Sequence, residues 1–453
     1  MNMSNTGAPA PAPRSGVARR ASKAVPLLVA GALTLGISSM APATPLKAAT
    51  ASAAARASVP VGPVEDVAHA PAGIGRRPAL VTDDAGTTTA VWRQVHDDAE
   101  GAEYAVVRAA RRGPQGAWSR PRTLGCGRLE SCPASNPRLG VDGDGDVTVV
   151  WLSGTTVLAA TRTQGVGWRA PRAIGTTSGE VPDNSWGLAV ARNGSAFVVW
   201  SSPADGVVWA ARRTDDGRWG PPREVAGGAD WDVEIGASDR GAAVVAFIAA
   251  SAPQYGDTVQ AARFVPGSGW TRATPVGDHL DGHVALAVGR RGDAVLLWRA
   301  GLWRLTMRAS VMSPSGRWTL PDRLGGVYYW AVSEGAAIDS SGTATVAWID
   351  YRDDHGTPNP GYVATRTPRG TWSRMRTTGN DGTAYIEPPL PVLVNRSDDT
   401  AVILPERIHL RPRHGTWSSA AIGASTGAIM PSGAVLRMWW SPTGLKAQQV
   451  GPG

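Results

Sequence analysis

Two familiar signatures of catalysis are missing from this chain. It contains no P-loop and no H-E-x-x-H, which removes the phosphate cradle and the zincin helix as routes to a function. No stretch after residue 60 carries sustained helical periodicity, so helical bundles and α/β sheets are excluded. Cysteine is scarce: Cys126 and Cys132 are the only two in 453 residues. They share one turn-rich segment, GCGRLESCP, and in an exported chain they are expected to form a local disulfide. A bridge closing so short a loop pins that loop and adds little global stability.

Acidic residues are absent before Glu65, so the leader adds only positive charge to the formal +8. Arg14, Arg19, Arg20 and Lys23 lie in a leader, and its removal leaves about +4. That is a weak field over a large surface, so no nucleic-acid partner is expected. Residues 1–43 read as an export signal: a basic start at Arg19 and Arg20, an apolar run from Ala24 to Met40, and the small-x-small site Ala41-Pro42-Ala43. The run is short for a membrane-spanning helix, and the Arg pair lacks the bulky apolar residues of a twin-arginine signal. The expected organisation is a signal peptide at 1–43, an Ala-rich linker at 44–58 and one domain at 59–453. The mature protein is expected to be a secreted, extracellular monomer, off the membrane and without a cofactor.

What the chain has in abundance is tryptophan, 19 residues, with 55 glycines and 35 prolines. One series is Trp92, Trp151, Trp200, Phe247, Trp298, Trp348 and Trp439, each six residues after a Gly. A second is Trp118, Trp168, Trp219, Trp270, Trp318, Trp372 and Trp417, each soon after a Gly. Two interleaved series at a spacing of about 50 residues mean one supersecondary unit copied many times.

Within a copy, such as Asn136 to Gly175, alternating segments separated by Gly-rich turns read as four antiparallel strands, A to D. The second strand, as in Ser195–Trp200, is apolar at odd and even positions alike, so both its faces need cover. Stacking such sheets around an axis is a β-propeller. Seven copies are complete, near 77–125, 136–175, 187–227, 232–277, 283–326, 335–379 and 388–423. An eighth begins at Thr426 and lacks its fourth strand. Val59–Val67 resembles a fourth strand, Gly220–Val225, and would close the ring from the other terminus. The expectation is an all-β propeller of eight four-stranded blades, with seven as the alternative.

In such a fold the D-to-A and B-to-C connections share one face, where loops on a rigid scaffold carry function. The candidates there are Trp186, Asp230, Trp231, Asp232, Glu234, Tyr329, Trp330, Asp353, His355, Tyr385 and Glu387. Aromatic rings stack on the apolar face of a pyranose and carboxylates accept its hydroxyls. His279, Asp281 and His283 are the nearest thing to a metal cluster, at a spacing that matches no familiar motif. Asp-Gly-Asp-Gly-Asp at 142–146 lacks the later Glu of a calcium loop and reads as a hairpin turn.

The G-x5-W and G-x-W-x-x-P patterns over roughly 59–451 resemble the secreted β-propeller repeat proteins of actinobacteria, grouped loosely with sialidase-like, BNR-type propellers. The resemblance implies the fold. The sialidase Asp-box places Trp three residues after Gly, against six here, and the R-I-P segment is missing, so no catalytic residue is carried over. Three functions follow as expectations. The first is a module binding an extracellular carbohydrate or protein. The second is a glycosidase or polysaccharide lyase using rim acids such as Asp232, Glu234, Asp353 or Glu387. The third is a structural cell-surface protein.

Overall fold

A computed structural model of the chain describes residues 59–69, 77–97, 103–125, 135–202, 204–250, 257–278, 283–301, 305–327, 331–351, 359–376, 390–422 and 426–452. Its strands form eight antiparallel sheets. The inner strands are Ala79–Thr82, Arg138–Val141, Trp186–Val190, Ala229–Ala237, Val284–Val288, Ala331–Ile338, Val392–Val394 and Thr426–Ile429. Each touches the next in this order, and the last touches the first. The ring is therefore complete, an eight-bladed propeller, numbered here as blades 1 to 8 in the order of these strands.

Blade 3 shows how the repeat works. Trp186–Val190, Ala196–Ser202, Val207–Arg213 and Arg223–Gly227 pair in sequence order, with Trp186, Trp200 and Trp209 side by side. Gly194 turns the first strand into the second at a φ of 87°, a conformation an L side chain resists. Every residue of Ala196–Ser202 is buried, as is every residue of Ala243–Ala249 and Ala294–Ala300 in the next two blades. Sheets on both sides cover these strands, which is why their apolar residues do not alternate.

The tryptophans of the first series are the pegs between blades. Trp92, Trp151, Trp200, Trp298 and Trp348 are fully buried. Each burial removes about 200 Å² of surface from water, worth about 5 kcal/mol as an upper bound. A glycine makes room for the ring. A Cβ on Gly175 of blade 2 would sit 2.6 Å from Trp200 of blade 3, and one on Gly277 of blade 4 would sit 2.6 Å from Trp298 of blade 5. Trp439 departs from the pattern: it is half-buried, with the Arg437 guanidinium 4.3 Å from its ring. The second series lies at the outer edge, where Trp219 bridges back to Arg213 and Trp118 to Arg112.

The N-terminal strand Val61–Ala68 pairs with Gly444–Val450 and completes blade 8. Closure is reinforced by side chains. Glu65 accepts two hydrogen bonds from Arg112, at 2.7 and 2.8 Å, and a third from Trp118 at 2.8 Å, both partners being in blade 1. Asp66 pairs with Lys446. A ring closed by both termini leaves no open sheet end.

Asp142 Oδ1 accepts the amides of Asp144 and Asp146 at 3.1 and 2.9 Å. The acidic run at 142–146 is thus a hairpin turn folded around its first carboxylate. Cys126 and Cys132 lie outside the described residues, as do residues 1–58. Among the described residues no helix is long and apolar enough to cross a membrane.

Candidate functional site

The inner strands surround a channel. Leu80, Leu139, Leu188 and Leu286, each six residues before its turn glycine, line it with Leu393. Leu80 and Leu393 border cavities on both sides, of about 910 and 680 Å³. The larger lies at the A-to-B turns. There Asp84 of blade 1 pairs with Arg192 of blade 3 at 2.7 Å and with Arg396 of blade 7 at 2.5 Å. Two guanidiniums from opposite sides of the ring thus meet on one carboxylate.

The second cavity, on the face of the D-to-A connections, gathers polar side chains from consecutive blades. Asn136 and Arg138 come from the start of blade 2, and Asp183 and Asn184 from the approach to blade 3. Glu234 stands on the inner strand of blade 4 and His283 just before that of blade 5. Arg138 donates to the Asp183 carbonyl at 2.6 Å and lies 4.9 Å from the Trp186 ring. Asn136 Nδ2 donates to Asp183 Oδ2 at 2.9 Å, while its Oδ1 is buried with no partner.

Asp232 organises the other side. It sits at a φ of 55°, beside irregularities in the pairing of Ala229–Ala237 with its neighbour. The bend turns its carboxylate toward blade 5. There Oδ2 accepts the Val284 amide at 2.6 Å and Oδ1 lies 3.2 Å from His283 Nδ1. Asp232 is 2% exposed, and His283 keeps part of its ring at the cavity. The contact orients the imidazole through Nδ1.

Below this pair lies Glu334 of blade 6, 1% exposed, with neither carboxyl oxygen hydrogen-bonded. Burial pushes its pKa up to about 8, opposed by nearby His283 and reinforced by Asp232. Glu234 is also raised, to about 7, by burial in the channel mouth, with Arg138 opposing and Asp232 adding to the shift. Burial resists protonation of His283, but the Asp232 hydrogen bond and the surrounding carboxylates hold its pKa above the ordinary value. The mouth thus presents one carboxyl group, Glu234, that holds a proton near neutrality and a cation-prone imidazole, with Glu334 buried behind the lining.

Several expectations from sequence need correcting. Trp186 is 1% exposed and packs in the core between blades 2 and 3, so its ring offers no face to a ligand. Asp230, Trp231, Asp232 and Glu234 are not in a connection: the inner strand of blade 4 already starts at Ala229. The pairing irregularities let that strand run up to the rim. His283 is held by Asp232, and among the described residues no group of three His, Cys, Asp or Glu is placed to hold a metal ion. The side chains of Asp230 and Trp231 lie outside the described residues, as do Tyr329, Trp330, Asp353, His355, Tyr385, Glu387, His279 and Asp281.

Arg138 and Glu334 were not expected. Their signal was present: each is a charge inside an apolar inner strand, Arg138 seven residues before Gly145 and Glu334 eight before Gly342. Glu234, seven before Gly241, follows the same rule.

No protein-family model matches the chain, and no curated protein does. Among solved structures, an ulvan lyase of polysaccharide lyase family PL25, bound to -[GlcA(1-4)Rha3S]-, is 10% identical, with 79% of this chain and 96% of that one covered and a TM-score of 0.48. AofleA from Arthrobotrys oligospora is 12% identical over 71% of this chain and 91% of its own, with a TM-score of 0.39. A Hadza microbial sialidase is 16% identical over 63% and 66%, with a TM-score of 0.36. At these values the likeness is one of fold, and no residue's role passes from them to this chain.

Proposed function

We propose that the protein is a secreted propeller that binds a carbohydrate at the channel mouth on the D-to-A face. The observation that carries this reading is the lining of the 680 Å³ cavity. Donors (Arg138, Asn136, Asn184) and acceptors (Asp183, Glu234) converge there above a ring of leucines. A hydroxyl-rich ligand needs both kinds of partner at close spacing, and a pyranose also needs an apolar surface. Protonated Glu234 adds a hydroxyl donor. The test is a glycan array with the secreted protein and with Glu234→Gln, Asp183→Asn and Asn136→Ala. Binding by the parent, lost or weakened about tenfold or more in Asp183→Asn and Asn136→Ala, supports the reading. An array with no signal for the parent removes it.

A second reading, an acid–base enzyme acting on such a carbohydrate, is favoured by one observation: the Asp232–His283 contact beside Glu234. An imidazole oriented by a buried carboxylate is suited to accept a proton, and a carboxyl with a pKa of about 7 to donate one. Shortening of an array-positive oligosaccharide by the parent, abolished in His283→Ala while binding persists, decides for the enzyme.

A further inference from the structure

A third cavity, of about 540 Å³, opens over blade 2. It shares Asn136 and Asp183 with the channel mouth, so the two adjoin at the Asn136–Asp183 hydrogen bond. Its walls are fixed. Ser135 exchanges two hydrogen bonds with the Leu152 backbone, both at 2.9 Å. The Thr177 amide donates to the Thr155 carbonyl at 2.8 Å, and its hydroxyl to Gly179 at 2.6 Å.

Leu152, Val181 and Pro182 give this cavity an apolar side, and Arg93 and Glu180 give it a charged donor and acceptor at the outer end. That is again the combination a pyranose uses. At the junction stands the Asn136 amide oxygen, buried and without a partner. The Asn136 side chain, tied to Asp183, is the wall the two cavities have in common. Each cavity alone is within the range of a small-ligand site, about 300–1,000 Å³. One sugar in the mouth would leave the outer one empty.

We propose that the ligand is an oligosaccharide chain lying across both cavities, with the outer one, between Asn136 and Glu180, a second subsite for further sugar residues. This rests on the carbohydrate reading of the mouth and adds length to it. A chain gains affinity with each residue until the outer cavity is full, then no more.

The experiment uses immobilised ladders of one to six residues of β-1,4-linked glucose, mannose, xylose and glucuronic acid, with dissociation constants measured for the parent and two variants. Thr155→Trp fills the outer cavity from an exposed two-residue turn, and Glu180→Ala removes a charge from an exposed side chain. The parent is expected to bind a hexamer at least about tenfold tighter than a dimer. Thr155→Trp should bring that ratio below about twofold with the dimer unchanged, and Glu180→Ala should lower it partway. Dimer and hexamer bound alike by the parent overturn the extended site and leave the mouth standing. A length dependence untouched in both variants also overturns it, because the chain then runs elsewhere. If no ladder binds at all, the carbohydrate reading itself has failed.

Discussion

Ring closure rests on few groups, and Glu65 is the one whose removal can be given a magnitude. Its carboxylate takes three hydrogen bonds across the seam between blade 8 and blade 1, two from Arg112 and one from Trp118. The Glu65 and Arg112 side chains are 19% and 8% exposed. Glu65→Ala leaves the guanidinium and the indole N–H without partners, away from solvent. Breaking a buried ion pair costs about 3–5 kcal/mol, and the residual exposure of Glu65 argues for the lower end. With an unfolding entropy of about 2.1 cal/mol/K per residue over roughly 390 residues, a loss of about 3 kcal/mol lowers Tm by about 4 °C. The assay is calorimetry of the parent, Glu65→Ala and the double variant Glu65→Ala/Arg112→Met. The double variant should recover at least half of the loss, since the penalty comes from the uncompensated cation rather than from the missing bonds. A Glu65→Ala melting point within about 1 °C of the parent's would refute the reasoning. So would a double variant less stable than the single one, because packing rather than charge would then govern the seam.

The remaining expectations concern blades, turns and protons. Gly175→Ala should destabilise by about 1–3 kcal/mol through the clash with Trp200, while Gly113→Ala, whose added Cβ meets nothing within 4 Å, should melt like the parent. Asp398 occupies the blade 7 turn at a φ of 67°, where the other seven blades carry glycine, and it accepts both the amide and the hydroxyl of Ser340. Losing these charge-assisted bonds costs about 1.5–3 kcal/mol each against a backbone relief of about 1–2 kcal/mol. Asp398→Gly should therefore lower Tm, and Asp398→Asn should lower it less. Glu334 and Glu234, with pKa values of about 8 and 7, bind protons more tightly folded than unfolded, and so does His283. Their contribution to stability is present at low pH and is lost as pH rises from about 4.5 through 8. Glu334→Gln should thus raise Tm at pH 8.5, change it little at pH 5, and flatten the slope between; an unchanged slope counts against a buried, protonated Glu334.

What the sequence shows of this fold is whatever every blade repeats. The Gly-to-Trp spacing is legible because the same turn recurs in seven blades and a buried ring follows it in six of them. Blade 7 hides from that pattern, with Asp398 for the turn glycine and the fully buried Leu404 for the tryptophan six residues on. Trp186 misleads in the opposite sense: absent from both series, it reads as a rim ring, yet it pairs with Trp200 and packs as core. A site in a propeller is built from what blades do not share, so periodicity is blind to it. It is not invisible, however. Neighbouring blades are the same structure shifted by one repeat, so equivalent positions of adjacent inner strands stand side by side. Asp232 meets His283 at a separation of 51 residues, Asn136 meets Asp183 at 47 and Arg138 meets Asp183 at 45. A repeat length of about 50, once read from the tryptophans, is thus also a contact rule. Polar residues one repeat apart at the start of an inner strand are predicted neighbours, and the mouth of the channel follows from applying that rule to the strands that break the apolar pattern.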